Sequence, residues 1–119
     1  MQREQLEINA APLGDVPGVA LAGEIDIAVA EQLRIHLDEA IRESAGAYVV
    51  DLTDVEFLDS SGVGVFVRAR ALLGRDERDL VVVCPPGPVY RIFEVAGIVD
   101  LLAPFASRDD AVAALVPAD

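Results

Sequence analysis

The run Val49–Phe66, Val-Val-Asp-Leu-Thr-Asp-Val-Glu-Phe-Leu-Asp-Ser-Ser-Gly-Val-Gly-Val-Phe, constrains the fold more than any other stretch of this chain. An apolar segment runs into adjacent acid and hydroxyl groups at the point where a helix must begin. Val49 and Val50 open a β-branched run suited to a buried strand, and Phe57 and Leu58 restore apolar packing. Asp59, Ser60 and Ser61 are each competent helix N-caps, three candidates for one position. Gly62 and Gly64 then fall in the first helical turn, where each costs about 1 kcal/mol relative to Ala. A local break with helix propensity marks a working site.

On either side of this junction the chain alternates strand and helix patterns. Gln5–Ala11 and Val19–Ala22 read as two strands joined by the turn-rich segment Pro12–Gly18, a hairpin. Ala28 to about Ser44 spaces Val29, Leu33, Leu37, Ala40 and Ile41 as one helical face, leaving Glu31, Asp38, Glu39 and Arg42 for water, and Gly46 ends it. Ala47–Leu52 is the third strand. Ser61–Leu73 is the second helix, with Val63, Phe66, Val67 and Ala71 inward and Gly74 as its stop.

Leu80–Cys84 reads as a fourth strand ended by Pro85 and Pro86. Val89, Ile92, Phe93 and Ala96 mark a short helix closed by Gly97, Ile98–Leu102 a small last strand, and Arg108–Val116 a final helix. The order predicts an α/β fold whose sheet is mostly parallel but carries an antiparallel strand. No composition shift, linker or repeat divides it, so residues 1–119 are read as a single domain with a core of its own.

Composition excludes several classes of chemistry. A net charge of −12 repels a phosphate backbone, which argues against nucleic acid as a partner. All nine cations are arginine, so a Walker-type phosphate loop, a Schiff-base lysine and the lysine of a two-component receiver are ruled out together. Cys84 is the only cysteine; its place at the end of Val81-Val82-Val83 predicts a buried structural thiol. No apolar run reaches membrane-spanning length, and the amino terminus has no apolar signal core, which predicts a cytoplasmic protein. No cofactor or metal site is expected.

The segment Asp51-Leu-Thr-Asp-Val-Glu-Phe-Leu-Asp-Ser-Ser-Gly-Val-Gly64 resembles the signature of STAS domains, and specifically of bacterial anti-sigma factor antagonists. Gly23-Glu-Ile-Asp26 resembles the family's Gly-Glu-Leu-Asp before its first helix. Val81-Val-Val-Cys-Pro85 and Val89-Tyr-Arg-Ile-Phe-Glu-Val-Ala-Gly97 resemble its later strand, helix and Gly turn. The resemblance covers nearly the whole chain in order. It implies a STAS-type mixed β-sheet with an initial hairpin and helices packed mainly on one face.

The resemblance also implies a mechanism. Family members bind an anti-sigma factor serine kinase in their unphosphorylated form and so free a sigma factor. The kinase phosphorylates the serine after the signature aspartate, Ser60 here, which releases the antagonist, and a metal-dependent serine phosphatase resets it. Asp26, Asp54, Glu56, Asp59, Ser61, Gly62, Val63 and Gly64 are the expected partner-binding residues. Phosphoserine carries about −1.5 to −2 charge at pH 7. A helix start tolerates that charge, whereas Asp59 beside it, and Asp54 and Glu56 in the same expected loop, repel it.

Taken alone, Ser60 reads as a helix cap; the resemblance makes it the phosphate acceptor. Ser61 is assigned to capping or to hydrogen bonding within the loop, Asp59 to a cap or to shaping the loop, and Asp26 to capping the first helix or to the partner surface. Close packing explains Gly62 and Gly64 better than a fragment of a dinucleotide fingerprint. A serine hydrolase is disfavoured, because Leu58 and Asp59 break the Gly-x-Ser-x-Gly elbow and the sole histidine, His36, is expected partly buried on the first helix. No catalytic residue is assigned. The alternative is a STAS scaffold or sensor partner without a phosphorylation cycle, inside a larger signalling or transport assembly.

Overall fold

A computed structural model describes residues 5–115. Its elements are β1 (Leu6–Ala10), β2 (Gly18–Ile25), α1 (Ile27–Arg42), β3 (Tyr48–Leu58), α2 (Ser60–Gly74), β4 (Leu80–Val83), α3 (Pro88–Ala96), α4 (Val99–Leu102) and α5 (Arg108–Leu115). One four-stranded sheet runs β1-β2-β3-β4. β1 lies antiparallel to β2, while β2–β3 and β3–β4 are parallel. The expected hairpin and mixed sheet are both present.

Alternation along the strands sorts the side chains to two faces. Leu21, Val50, Leu52 and Val82 point into the larger core, where α1, α2 and α3 bring Leu33, Leu37, Phe66 and Phe93. Phe66 and Phe93 are fully buried, each contributing about 1.5–3 kcal/mol of apolar transfer. On the opposite face Val49, Val81 and Val83 meet Leu13 from the hairpin connection and Ala111 from α5. The helices thus lie mainly on one face, and α5 covers only part of the other.

β3 is longer than expected. It runs on through Leu58, so Asp54 and Glu56 sit on a strand and not in a loop. Ladder hydrogen bonds to β2 continue through two register shifts, between Ala20 and Ala22 and between Gly23 and Glu24. Such bulges re-aim a strand. Gly23 makes this possible: its φ is +111°, and a Cβ there would meet the Gln5 carbonyl oxygen at 2.2 Å. The shifts bring Leu58 opposite Ile25, so β2 and β3 end side by side.

Several expectations are corrected. Ile98–Leu102 is not a strand: Val99–Leu102 forms one helical turn that buries Leu102, and the edge of β4 is taken instead by Phe105, whose amide donates to the Val82 carbonyl at 2.8 Å. Apolar runs this short are compatible with either structure. Asp38 is buried, not left to water, and His36 is exposed, not half-buried. The inward face of α2 is Gly62, Val65, Phe66, Ala69 and Leu73, of which only Phe66 belonged to the expected stripe. α1 ends at Arg42 with Glu43 as its C-cap, so Gly46, at φ +73°, shapes the following turn and does not end the helix. Val116, the expected end of the last helix, lies outside the described residues.

Candidate functional site

The carboxyl ends of the two central parallel strands carry the two acids that start the helices. Asp26 follows β2 and caps α1, its carboxylate accepting from the Ala28 amide at 2.9 Å. Asp59 follows β3 and caps α2, accepting from the amides of Ser61 at 3.0 Å and Gly62 at 3.3 Å. Because Ile25 and Leu58 are register partners, these caps are neighbours, and the Asp59 amide donates to the Ile25 carbonyl at 3.1 Å. Two helix N-termini therefore open at one end of the sheet, the usual location of sites in parallel α/β folds.

Asp59, and neither serine, is the cap of α2. The Ser61 hydroxyl donates to the Asp59 carboxylate, which fulfils the supporting role expected of it and corrects the capping role. That hydroxyl, and after it the amides of Gly62, Ser61 and Ile27, hold the Asp59 carboxyl below its ordinary value against the opposing effect of burial. The Ile27 amide belongs to α1, whose own cap is Asp26, so the start of the neighbouring helix adds to the effect on this carboxyl. Ser60 is the first residue of α2, is exposed, and makes no side-chain hydrogen bond among the described residues.

Gly62 is buried because nothing larger fits. A Cβ would meet Leu58 Cδ1 at 2.3 Å and Ile25 Cγ2 at 2.7 Å, so the start of α2 sits directly on the ends of β3 and β2. Gly64 meets nothing within 4 Å and is exposed. The close packing expected of both glycines thus applies to Gly62 alone. Farther along, α2 is tied to α1 by Asp38, which accepts from Arg34 on its own helix at 2.9 Å and from Arg68 on α2 at 3.1 Å.

Six of the expected partner residues divide among three grooves, and Asp59 and Gly62 line none of the three. Ser60 and Val63 line one between α2 and α3, together with Arg91, Ile92 and Val95. Ser61 and Gly64 line a second between α1 and α2. Asp26, Asp54 and Glu56 share a third with Glu7 and Glu24. The acids expected to crowd Ser60 in one loop therefore form a separate acidic groove. Residues missed in the sequence are Ile27 and Val95, large apolar side chains each 81% exposed, and Arg91. Val95 lies off the buried Val89–Phe93 stripe of α3, a signal present in the sequence pattern itself.

Other chemistry finds little footing. His36 lines neither groove that contains Ser60 or Ser61. Among the described residues no group of three or more His, Cys, Asp or Glu is placed to hold a metal ion, and no helix is long and apolar enough to cross a membrane. Burial, aided by the charge of Asp51, pushes the Cys84 thiol up to about 11, so it stays protonated and inert at neutral pH.

A family model described as "Mlab, STAS domain" matches residues 8–103. The chain belongs to the STAS domain family. This STAS domain is 32% identical over 84 residues to an anti-sigma-B factor antagonist of Listeria monocytogenes, covering 71% of this chain and 74% of the relative. It superposes with a TM-score of 0.84 on a crystal structure of an anti-sigma factor antagonist from Mycobacterium paratuberculosis, 27% identical, covering 92% of this chain and 93% of the other. The Bacillus cell fate determinant SpoIIAA, solved in its phosphorylated form, shares the fold with a TM-score of 0.66 at 21% identity, covering 93% and 99% of the two chains. The STAS domain thus stands among the bacterial anti-sigma factor antagonists.

Proposed function

We propose that this STAS domain is an anti-sigma factor antagonist of the cytoplasm that works by binding, not catalysis, and is switched by phosphorylation of Ser60. Unphosphorylated, it binds an anti-sigma factor serine kinase and frees a sigma factor. The kinase moves the γ-phosphoryl group of ATP onto Ser60 Oγ, releasing ADP and the hydroxyl proton, and the antagonist dissociates until a serine phosphatase restores it. Asp59, Ser61, Val63 and Gly64 form the partner surface beside that serine, Asp26, Asp54 and Glu56 extend it through the neighbouring acidic groove, and buried Gly62 supports it from beneath.

The observation that carries this reading is the contrast between two adjacent hydroxyls. Ser60 is exposed and makes no side-chain hydrogen bond among the described residues, whereas Ser61 is engaged with Asp59. A kinase can reach the first without disturbing the cap. Because Asp59 does the capping, phosphorylation at Ser60 leaves the fold intact and changes only the surface.

Incubation with the cognate kinase and ATP, followed by phosphopeptide mapping, tests the site. Ser60→Ala should abolish labelling and Ser61→Ala should keep most of it; modification confined to Ser61 would overturn the assignment. Calorimetric titration tests the switch. The bulk and charge that phosphate brings to this surface should cost at least about a hundredfold in Kd, roughly 3 kcal/mol. Ser60→Asp should lose part of the affinity and Ser60→Ala should retain it. Equal affinities of the phosphorylated and unmodified protein would leave the scaffold alternative in front.

A further inference from the structure

The groove lined by Ser60 has a volume of about 560 Å³ and lies between α2 and α3, with Val63, Pro88, Ile92 and Val95 supplying apolar walls. Arg91 is the one charged residue lining it among the described residues. Four of the eight described arginines serve the fold through their side chains, and Arg91, like Arg42, Arg70 and Arg75, does not. Arg34 and Arg68 pair with Asp38, Arg108 with Asp51, and Arg78 donates to Ile41, Ser44 and Gly46. Arg91 has no ion pair or side-chain hydrogen bond among the described residues. An unengaged guanidinium thus shares a groove with the exposed serine.

A phosphate on Ser60 could not rely on the helix start alone. The amides of Ser61 and Gly62, which would otherwise face it, already donate to Asp59. A cation in the same groove would hold it, and the planar fork of an arginine matches phosphate oxygens bidentately. We propose that Arg91 binds the phosphate of phosphorylated Ser60 across the groove between α2 and α3, laying a charged pair over Val63, Ile92 and Val95. Phosphorylation then acts on this face twice: it adds charge, and it covers the apolar wall that an unmodified protein presents. This inference rests on Ser60 being the phosphorylated residue.

The test installs phosphoserine at position 60 during translation, so that no kinase is needed, and follows the ³¹P resonance against pH. The forms compared carry arginine, Arg91→Lys or Arg91→Gln. A cationic partner favours the dianion, so the second ionisation should fall at lower pH with arginine than in Arg91→Gln by about half a unit or more, with Arg91→Lys between them. Asp59, the neighbouring carboxylate, is common to all three and cancels in the comparison. Arg91 is exposed, so Arg91→Gln should fold, and equal melting temperatures of the unphosphorylated forms check this. Coincident titration curves for arginine and glutamine would overturn the role of Arg91 and leave the Ser60 switch standing. A kinase that fails to label Ser60 would remove the switch and leave the titration result intact.

Discussion

Asp38 on α1 accepts from Arg68 on α2 at 3.1 Å, so a buried carboxylate ties the helix that begins at Ser60 to its neighbour. Asp38→Asn keeps the shape and removes the charge. Breaking a fully buried pair costs roughly 3–5 kcal/mol, but Arg34 and Arg68 remain 32% and 50% exposed, and solvent screening lowers the expected loss to about 1–2 kcal/mol. Urea unfolding of the double-mutant cycle with Arg68→Ala should give a coupling of about 0.5 kcal/mol or more. Strict additivity would show that the two residues do not act together.

Asp59 should be the most costly cap to lose. Asp59→Ala should destabilise by about 1–2 kcal/mol, whereas Asp59→Asn keeps capping geometry and isolates the charge. Its folded carboxyl is held below the ordinary value of 3.8, so the charge contributes fully above that value and is lost as pH falls through the lower folded value. The advantage of wild type over Asp59→Asn should therefore be present at neutral pH and shrink in acid. An advantage unchanged across the acid range, read by urea unfolding at each pH, would contradict the assignment.

The two glycines of α2 should respond oppositely to alanine. Gly62→Ala drives a methyl into Leu58 and Ile25 and should cost about 1–3 kcal/mol. Gly64→Ala enters open space in a helix and should gain about 0.5–1 kcal/mol. Thermal unfolding of both variants decides it, and a Gly62→Ala protein as stable as wild type would show that the end of β3 yields more easily than its packing implies.

Arg108 should hold α5 against the second face of the sheet. Its guanidinium donates to Asp51 at 3.1 Å and to the carbonyl of Pro12 at 2.8 Å, joining α5, β3 and the hairpin connection. In Arg108→Ala the amides of α5 should exchange with solvent about tenfold faster or more, while those in the middle of α2 stay protected, because a segment opens on its own once its local anchor is removed. Uniform acceleration across the domain would instead mean that α5 unfolds only with the whole.

Much of this architecture was legible because each element carries its own signal. The hairpin turn residues, the stripe Leu33–Leu37–Ile41, the β-branched strands at Val49 and Val81, and Gly97, which adopts φ +73° after α3, each act over a few residues. The Asp59-Ser60-Ser61-Gly62 junction was legible for the same reason: an acid or hydroxyl before a helix is a local requirement. Ile98–Leu102 was misread because a short apolar run satisfies strand and helix equally, and what decided it was Phe105 pairing with the edge of β4.

By itself the sequence determined the order of the elements, the mixed sheet and the place where α2 begins, since these follow from periodicity, turn chemistry and capping within short windows. Only the three-dimensional structure decided which of three adjacent polar residues caps α2, because all three have side chains able to cap and the backbone geometry gives the amides of Ser61 and Gly62 to Asp59. It also decided the rotation of α2. In a helix apolar on most sides, periodicity leaves the phase open, and the contact of Gly62 with two strand ends fixes it. Asp38 was buried by a partner thirty positions away, and Arg91 was brought to the groove of Ser60 by the packing of α3. Such long-range juxtapositions leave no local trace, because no short window contains both residues.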